Sequence, residues 1–541
     1  MKKTIKSGLA LLLCCVLLTV ITACGSSGDQ PTTSSNEPET SSPEAIETGF
    51  SGSDTDDSAV SAQDTLTIAV SQDSASLDPL YLSGGASFRN VSTMYAEPLY
   101  DFDANGEKIW ILATGIDIDS PTQWTVHLRE GVSFTNGNPF TADDVLFTFN
   151  KDNFDSARSD RIVTLDFPNC RKINDYTVEL NFTAYDLTAE PNIALIQIYD
   201  AESFDAEVYS QNPVGTGPYY VTEYVINSHC YLTMNENYWG SKAKIKNLRF
   251  RVIDEPAQIV NAVEMGTVDV ATIPLQDVDF VKSLPEYKID LISNGSVSVL
   301  QFNTTALSVL NNRDARRAVC HAVDKEAIIN LTYYGYASIP SWSLSTNLVD
   351  YNENFSNMDE TYSIGYDIEL AKQYAEQAGL VGKEIRIVTN GSTTAVTTAE
   401  IMQQNLADIG VNAVIINYDP ASFFSISLDT SAYDIYLFSY WVPSFTAAQN
   451  YNGWVYRLPN YNEGTWEGID RVMELASDLT SVFDNAERQT AIDEITEIVQ
   501  REAIWYAINE PQTVIAYNTN LSGVKFMQNL NTYYGDWYWI A

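Results

Sequence analysis

The chain has 541 residues, 45% of them hydrophobic, which is enough apolar material for about three or four domains. Its 71 acidic and 30 basic side chains give a formal net charge of −41. This charge argues against a nucleic-acid-binding function, because phosphate neutralisation requires basic surfaces, and it also argues against a multivalent anionic ligand. Beyond the N-terminal region no apolar run reaches the ~18 residues of a membrane-spanning helix, which disfavours a multi-span membrane protein.

The N-terminus has the parts of a secretory leader. Three lysines precede an apolar run at residues 9–20, and the segment Ile21-Thr22-Ala23-Cys24-Gly25 follows. The cysteine directly after Ala23 resembles the bacterial lipobox. We therefore expect a lipoprotein signal peptide at residues 1–23, lipidation of Cys24, and anchoring on the extracytoplasmic face of the cell membrane. An ordinary signal peptide and a transmembrane anchor are the alternatives, the second disfavoured by the shortness of the run.

Residues 24–64 are rich in Ser, Thr, Pro, Gly and acidic residues and contain no Lys or Arg. Such a segment buries too little apolar surface to fold, so it is predicted to be a disordered acidic linker behind the lipidated cysteine. The other cysteines that remain in the mature chain are few, and the sequence leaves open whether two of them form a disulfide: Cys170, Cys230 and Cys320.

Metal binding is disfavoured by the placement of the histidines. The chain has only three, His127, His229 and His321, and the last two adjoin cysteines in the pairs His229-Cys230 and Cys320-His321. Neighbouring residues on a strand point to opposite faces, so these pairs are poorly placed to share a zinc ion. We expect neither a metal nor another cofactor.

From residue 66 onward the pattern alternates between short apolar strands and amphipathic helices, which predicts an α/β fold with sheets covered by helices. The predicted elements, in chain order, are a strand at 66–70, a hairpin turn at 101–106, a strand at 124–128, a helix starting at Thr141 with Asp144 in a capping-box position, a helix at 256–266, a strand at 268–271, a helix at 313–331, a helix at 367–378, a strand at 385–388, a helix at 399–408, strands at 411–416 and 434–439, and two helices within 469–504 that are separated near Asp484.

No familiar catalytic motif occurs in the sequence. It has no glycine-rich phosphate loop, no nucleophile elbow and no zinc-protease helix. The many acidic residues could include a glycosidase pair, but no pair is distinguished from a solvated acidic surface. We therefore predict that the protein is not an enzyme, with a secreted hydrolase as the least favoured alternative.

Several segments, read in order, resemble the solute-binding proteins of ATP-binding-cassette (ABC) importers, in the oligopeptide, dipeptide and nickel-binding family (family 5). The resemblance spans about residues 65–541 and is specific because the motifs occur together. They are Leu77-Asp78-Pro79, Tyr95-Ala96-Glu97-Pro98-Leu99, WTVHLREGVSFTNGNPFTADDV at 124–145, PVGTGPY at 213–219, Asn237-Tyr238-Trp239, Gly266 with Asp269, and Phe302-Asn303 followed by 313–324. Most of these positions are expected to be structural, with Gly215 and Gly217 permitting unusual backbone angles.

The resemblance implies a two-lobed periplasmic-binding-protein-like fold (type II, large cluster) with an extra inserted subdomain. Lobe one would comprise residues 65–100, 213–298 and 510–541, the inserted subdomain 101–212, and lobe two 299–509. The chain would cross between the lobes near 298–304 and 509–513, and these crossings would form the hinge. The implied protein is a monomer whose partners are the permease and ATPase subunits of the importer and, through its lipid anchor, the membrane.

The ligand site would lie in the cleft between the lobes. The resemblance assigns ligand contacts to residues of both lobes, namely Ser83, Gly84, Gly85, Ala86, Ser87, Tyr440, Trp441, Ser444 and Phe445. Trp342 is a further candidate for the cleft. Glycines 84 and 85 would let the ligand approach the backbone closely, and core packing or a surface turn is the alternative role for these positions. We predict that Trp441→Ala weakens ligand binding without unfolding the protein.

The ligand class depends on one departure from the family pattern. Peptide-binding members resemble G-W-x-x-D, where the aspartate pairs with the α-ammonium of the peptide, and this register places Ser444 at the aspartate position. No carboxylate occurs between Ser439 and Gln449. Either an acid from elsewhere substitutes, with Asp419, Asp429 and Asp434 as candidates, or the ligand is not a peptide with a free amino group. The non-peptide alternatives are an oligosaccharide and a chelated metal. A peptide remains the favoured ligand.

Overall fold

The computed structural model describes residues 63–74, 76–79, 90–103, 106–153, 162–293, 295–340, 342, 344–346, 348, 350–357, 364–441, 446–456, 463–526 and 532–540. The predicted signal peptide, Cys24 and most of the predicted linker lie outside these residues. Among the helices so described, none is both long enough and apolar enough to span a membrane.

The strands alternate with helices along most of the chain, as the sequence pattern predicts. They are β1 (Thr65–Val70), β2 (Tyr100–Phe102), β3 (Lys108–Trp110), β4 (Ala113–Ser120), β5 (Gln123–Leu128), β6 (Arg171–Asn174), β7 (Thr177–Asn181), β8 (Tyr219–Val225), β9 (His229–Met234), β10 (Asn247–Val252), β11 (Val270–Thr272), β12 (Tyr287–Ser293), β13 (Ser296–Phe302), β14 (Ala337–Ser338), β15 (Glu384–Thr389), β16 (Asn412–Asn417), β17 (Ile435–Trp441), β18 (Trp505–Asn518), β19 (Leu521–Ser522) and β20 (Tyr538–Trp539).

The α-helices are Ala142–Phe149, Ala189–Ala194, Ala206–Tyr209, Pro256–Glu264, Val278–Lys282, Arg313–Ala322, Lys325–Thr332, Ile368–Gln377, Thr393–Asp408, Pro420–Ile426, Ala447–Asn450, Ile469–Ser477 and Asn485–Arg501. Thr141 caps the first of them, and its capping box with Asp144 is confirmed. Asp484 caps the last, at the predicted break between the two C-terminal helices.

One predicted helix is wrong in its extent. The pattern at 313–331 predicts a single helix, whereas the structure has two, Arg313–Ala322 and Lys325–Thr332. Val323 is extended between them, and the Asp324 side chain accepts a hydrogen bond from the Ala327 N–H at 2.9 Å. An aspartate that caps a new helix N-terminus satisfies a backbone donor there, so it favours a restart over a continuous helix.

Two lobes share one long strand, β18. In lobe one the sheet runs β8-β9-β10-β1-β11-β18, with β12 also paired to β18; in lobe two it runs β16-β15-β17-β13-β18. Within β18, residues Trp505 to Asn509 pair with β13, and Gln512 to Asn518 pair with β12. The chain also passes between the sheets where β12 ends at Ser293 and β13 begins at Ser296. The two sheets are therefore linked at two neighbouring places.

Helices cover both faces of the lobe-two sheet. The cluster on one face includes buried residues from the helices Ala447–Asn450, Ile469–Ser477 and Asn485–Arg501. The cluster on the other face includes residues from Arg313–Ala322, Lys325–Thr332, Ile368–Gln377 and Thr393–Asp408. Strands such as β17 are buried on both faces, which is why their sequences read as continuous apolar runs.

A separate antiparallel sheet, β4-β5-β7-β6, lies in the part of the chain predicted to be the inserted subdomain. It has its own hydrophobic cluster, which includes Trp124, Val126 and Val178. The hairpin predicted at 101–106 is confirmed by the antiparallel pairing of β2 and β3. The boundaries 65–100, 101–212, 213–298, 299–509 and 510–541 stay predictions.

Gly215 and Gly217 have a structural role, but for a different reason from the one expected. Neither has a left-handed backbone; instead, a Cβ on Gly215 would lie 2.0 Å from the Tyr95 carbonyl oxygen, and one on Gly217 would lie 2.4 Å from the Met94 carbonyl oxygen. The Gly217 N–H donates to the Tyr95 carbonyl at 3.1 Å. Glycine is required here because two backbone segments are in direct contact.

Candidate functional site

The predicted ligand-contact segment of lobe two begins where the two lobes meet. Trp441 is the last residue of β17 and pairs with Ser296, the first residue of β13. Ser296 in turn follows the short connection from β12 of lobe one. The chain that continues from Trp441 into residues 442–445 therefore starts at the junction of the lobes. Ser444 and Phe445 themselves lie outside the described residues.

A buried polar cluster marks the crossing of β13 and β18. The Ser298 hydroxyl lies 2.9 Å from the Ser439 hydroxyl and 3.2 Å from the Tyr333 hydroxyl. Ser298 pairs with Asn509, and the pairing of β13 with β18 shifts register immediately afterwards. Burial raises the pKa of Tyr333, so its hydroxyl is neutral. A register shift bends a strand locally, and here it lies at the point where β18 passes from one lobe to the other.

Trp342 and Tyr440, both predicted contact residues, are buried in the core of lobe two. They are 3% and 1% exposed and belong to the same hydrophobic cluster. The Trp342 indole N–H donates to the Ser345 carbonyl at 3.2 Å. Burial raises the pKa of Tyr440 well above its usual value, so this phenol is neutral. Their role in ligand contact stays a prediction.

Glu510 is a residue of this site that the sequence analysis did not select. It lies on β18 at the crossing, is 4% exposed, and accepts hydrogen bonds from the Thr346 backbone N–H at 2.8 Å and the Thr346 hydroxyl at 2.9 Å. Its negative charge also raises the pKa of Tyr440, after the larger effect of burial. The available signal was an acidic residue at the end of a buried apolar run, in the segment Trp505-Tyr506-Ala507-Ile508-Asn509-Glu510.

The three acids considered as substitutes for the missing aspartate serve local structure instead. Asp434 forms an ion pair with Arg386, with Oδ2 2.9 Å from Nε, and accepts from the Ser308 hydroxyl at 2.6 Å. Asp434 precedes β17 and Trp441 ends it, so they are about 20 Å apart along the strand. Asp429 accepts from the Ser431 hydroxyl. Asp419 accepts from the Ser422 N–H at the start of the helix Pro420–Ile426.

The predicted lobe-one contacts, residues 83–87, lie outside the described residues, but the chain on both sides is anchored. Asp78 accepts a hydrogen bond from the Tyr199 hydroxyl. The Leu77 N–H donates to the Ser210 carbonyl at 2.9 Å. After the segment, the Asn90 side chain accepts from the Thr532 N–H at 2.8 Å. The Leu77-Asp78-Pro79 motif therefore holds the entry to this segment in place.

Histidines and cysteines lie away from the junction. His127 is on β5 and contacts Asp117 at 2.8 Å, and His229 is on β9. His321 is on the helix Arg313–Ala322, and its Nδ1–H donates to the Gly365 carbonyl at 2.8 Å. Cys170, Cys230 and Cys320 are not joined by disulfides. Within the described ranges, no three His, Cys, Asp or Glu side chains are grouped as metal ligands would be.

Residues 110–463 match the family described as bacterial extracellular solute-binding proteins, family 5. The chain belongs to this family. Membership places it among extracytoplasmic solute-binding proteins rather than among enzymes. The family-5 motifs identified in the sequence are distributed over lobe one, the inserted sheet and lobe two, and the site described above lies where the two lobes meet.

Individual family-5 relatives are named for different ligands. Heme-binding protein A of Haemophilus influenzae is 26% identical over 400 residues, which cover 67% of this chain and 72% of the relative. The nickel-binding periplasmic protein of Escherichia coli is 26% identical over 402 residues, covering 68% and 74%. Di/tripeptide-binding protein 1 of Pseudomonas aeruginosa is 25% identical over 382 residues, covering 64% and 70%.

Solved structures share the two-lobed α/β fold. The ABC transporter substrate-binding protein CtaP of Listeria monocytogenes superposes with a TM-score of 0.78 at 23% identity, covering 88% of this chain and 99% of the other. The putative peptide-binding protein AppA of Clostridium difficile gives a TM-score of 0.77 at 20% identity, covering 88% and 100%. At these identities the likeness concerns the fold alone.

Proposed function

We propose that this family-5 protein is the receptor of an ABC importer and binds short peptides at the junction of its two lobes. The observation that carries the proposal is the convergence of β13, β17 and β18 at one place, with Trp441 at the end of β17 and Glu510 on β18. Aromatic side chains and a carboxylate suit a ligand with apolar side chains and an amino group. Relatives that carry peptide-binding names support the same class.

A peptide is favoured over a metal complex because of where the imidazoles are. All three histidines of the chain are described, and each lies on an element remote from the end of β17: His127 on β5, His229 on β9 and His321 on the helix Arg313–Ala322. Imidazole is the commonest protein ligand for transition metals. The nickel- and heme-binding functions that two relatives' names state therefore receive less support here than peptide binding does.

The second candidate is the same receptor role for a non-peptide solute, such as an oligosaccharide or a chelated metal. It is favoured by a single observation, the absence of any carboxylate between Ser439 and Gln449, where peptide-binding members would carry one. Aromatic faces also stack on sugars and on planar chelates, so the aromatic residues alone do not decide between the two ligand classes.

The remaining parts of the proposal concern attachment and partners. Cys24 would carry the lipid anchor, the linker to residue 64 would hold the folded part away from the membrane, and a permease with its ATPase would receive the ligand. The monomeric state and the absence of nucleic-acid partners belong to this proposal. The surplus of 71 acidic over 30 basic residues supports the last point.

A thermal-shift screen tests the ligand class. The purified mature protein is mixed with pools of tetrapeptides, oligosaccharides, nickel chelates and heme. A ligand at a hundredfold excess over its Kd stabilises the protein by about 2.7 kcal/mol, which is readily measured. We expect a shift with the peptide pool. A shift with glycans or chelates alone would establish the second candidate, and turnover of any compound would contradict the receptor role.

A further inference from the structure

One buried carboxylate at the lobe junction has no basic partner among the residues that the structure describes. Glu510 is 4% exposed, and its contacts are the N–H and hydroxyl of Thr346 and, at 3.5 Å, the Ser338 hydroxyl. No ion pair involving Glu510 exists in the described part of the chain. Two other buried acids of lobe two differ in this respect, since Asp434 pairs with Arg386 and Glu502 lies 3.8 Å from Arg316.

Such a carboxylate is costly unless a cation meets it. Removing an ionised carboxylate from water is unfavourable, and neutral hydrogen-bond donors offset only part of that cost. In a binding protein the missing cation can be supplied by the ligand, because a binding site is incomplete without its occupant. The lack of an ion pair at Glu510 therefore indicates that the ligand carries a positive charge.

The position of Glu510 agrees with this indication. It lies on the stretch of β18 between Asn509, which pairs with Ser298 of lobe two, and Thr513, which pairs with Ile292 of lobe one. Its charge acts on Tyr440, the neighbour of Trp441 at the end of β17. The carboxylate thus lies on the linking strand, next to the start of the segment that the sequence analysis assigns to ligand contact.

The sequence supplies an independent reason to look for an acid here. The family register places Ser444 where an aspartate would pair with a peptide ammonium, and residues 439–449 contain no acid. The three acids first considered as replacements are engaged in local structure elsewhere in lobe two. An ammonium at the junction would therefore need a carboxylate from another segment, and β18 provides one.

We propose that Glu510 binds the cationic amino group of the ligand and replaces the aspartate that is missing at position 444. This role rests on the proposed function, since it assumes a peptide with a free amino terminus. The linking strand then takes part in binding directly, so the ammonium contact forms at the hinge rather than on the surface of one lobe. Specificity for the charged amino terminus follows from the position of this single carboxylate.

Two synthetic tetrapeptide pools test the proposal. Both lack Lys, Arg and His, so the α-ammonium is the only cation, and one pool is N-acetylated by synthesis. Binding is measured by isothermal titration calorimetry at pH 7.5. The wild-type protein should bind the free-amine pool at least about tenfold more tightly, because a hydrogen-bonded ion pair is lost on acetylation.

The variant Glu510→Gln should lose about ten- to a hundredfold in affinity for the free-amine pool and keep its affinity for the acetylated pool. Its melting temperature without ligand should equal or exceed that of the wild type, because an unpaired buried charge has been removed. Glu286→Gln, which neutralises an exposed acid, is the matched control and should change neither affinity. Glu510→Asp keeps the charge and should retain part of the selectivity.

Three results would overturn the role of Glu510, and they are distinguishable. If the wild type binds both pools equally, the protein is a peptide receptor but Glu510 does not bind an ammonium. If Glu510→Gln lowers the melting temperature and weakens the binding of both pools alike, the residue is structural. The same conclusion follows if Glu510→Gln does not fold and Glu510→Asp binds the two pools without selectivity. If the wild type binds neither pool, the peptide assignment fails, and the role of Glu510 fails with it.

Discussion

The indole N–H of Trp239 donates a hydrogen bond to the carboxylate of Glu97 at 2.9 Å, although the two residues are 142 positions apart in the chain. The same carboxylate accepts from the Tyr238 hydroxyl at 2.7 Å and from the Thr216 hydroxyl at 2.8 Å. The Arg129 guanidinium lies over the Trp239 ring, 4.6 Å from its centroid. Four of the family motifs therefore meet at one buried acid, which joins lobe one to the inserted sheet.

Glu97 gives the stability of this region a pH dependence. Burial raises the pKa of Glu97 from 4.5 to about 7, against the smaller lowering effect of its hydrogen-bond donors and of Arg129. The folded protein then binds more protons than the unfolded chain, so the contribution of this group is full below pH 4.5 and is lost as the pH rises through 7. The free energy of unfolding of the wild type, relative to Glu97→Gln, should fall by up to about 3 kcal/mol over this range.

Urea unfolding of both proteins at intervals from pH 4.5 to 7.5, followed by circular dichroism, measures this difference. Glu264→Gln, which replaces an exposed acid, is the control and should leave the pH profile of the wild type unchanged. A difference between wild type and Glu97→Gln that is constant with pH, or that grows in favour of the wild type as the pH rises, would contradict the raised pKa.

The second prediction concerns the close contact between Gly217 and the backbone of Met94. A Cβ at this position would lie 2.4 Å from the Met94 carbonyl oxygen. That oxygen also accepts a hydrogen bond from the Tyr219 N–H at 3.0 Å, so the backbone has little freedom to move. Overpacking typically costs about 1–3 kcal/mol, and we expect Gly217→Ala to lower the free energy of unfolding by at least about 2 kcal/mol.

Gly115→Ala is the matched control for this change, because a Cβ at Gly115 would meet nothing within 4 Å. Its free energy of unfolding should stay within about 0.5 kcal/mol of the wild type. Urea unfolding measures both free energies. If Gly217→Ala and Gly115→Ala lower the free energy of unfolding equally, the close contact between the two backbone segments is not the reason that position 217 requires glycine.

Local sequence patterns predicted the helices and strands well. The roles of individual polar residues, in contrast, depended on contacts with residues far away in the sequence. The strand at 66–70 and the helix starting at Thr141 follow from alternation and capping within a few residues. Glu510, by contrast, gains its significance from Thr346, 164 residues away. The glycines of PVGTGPY show the same limit, since their closest neighbours are the carbonyls of Met94 and Tyr95. The spacing of residues within one segment cannot predict contacts of this kind.

A third prediction concerns a contact between the segment that follows β7 and the segment that precedes the helix Asn485–Arg501. The rings of Tyr185 and Phe483 meet edge to face with centroids 5.1 Å apart, and the Leu187 N–H donates to the Thr480 carbonyl at 2.9 Å. Because this contact holds two parts of the chain together away from the linking strands, it should favour the arrangement in which the lobes are close. An aromatic pair contributes about 0.5–1.5 kcal/mol, so Phe483→Ala should weaken ligand binding by about two- to tenfold.

Calorimetry with a peptide that binds the wild type measures this loss, and small-angle scattering of the ligand-free protein should show a larger mean radius of gyration for the variant. Phe280→Ala removes a ring of similar exposure on the helix Val278–Lys282 and serves as the control. Unchanged affinity and unchanged scattering in Phe483→Ala would mean that the contact is independent of lobe closure.

The last prediction separates packing from ligand contact at two tryptophans. The Trp342 ring stacks on Phe355 at 5.5 Å and meets Tyr351 edge to face at 5.0 Å. Its truncation to alanine leaves a large cavity in the lobe-two core, so Trp342→Ala should lower the free energy of unfolding by about 3–5 kcal/mol. Trp441, at the end of β17 beside the lobe junction, should behave differently: Trp441→Ala should weaken ligand binding while the protein stays folded. Thermal unfolding and calorimetry of the two variants, run side by side, decide the matter. If Trp441→Ala unfolds the chain and any residual folded protein binds normally, this tryptophan is a packing residue, and the ligand must contact other residues of the junction.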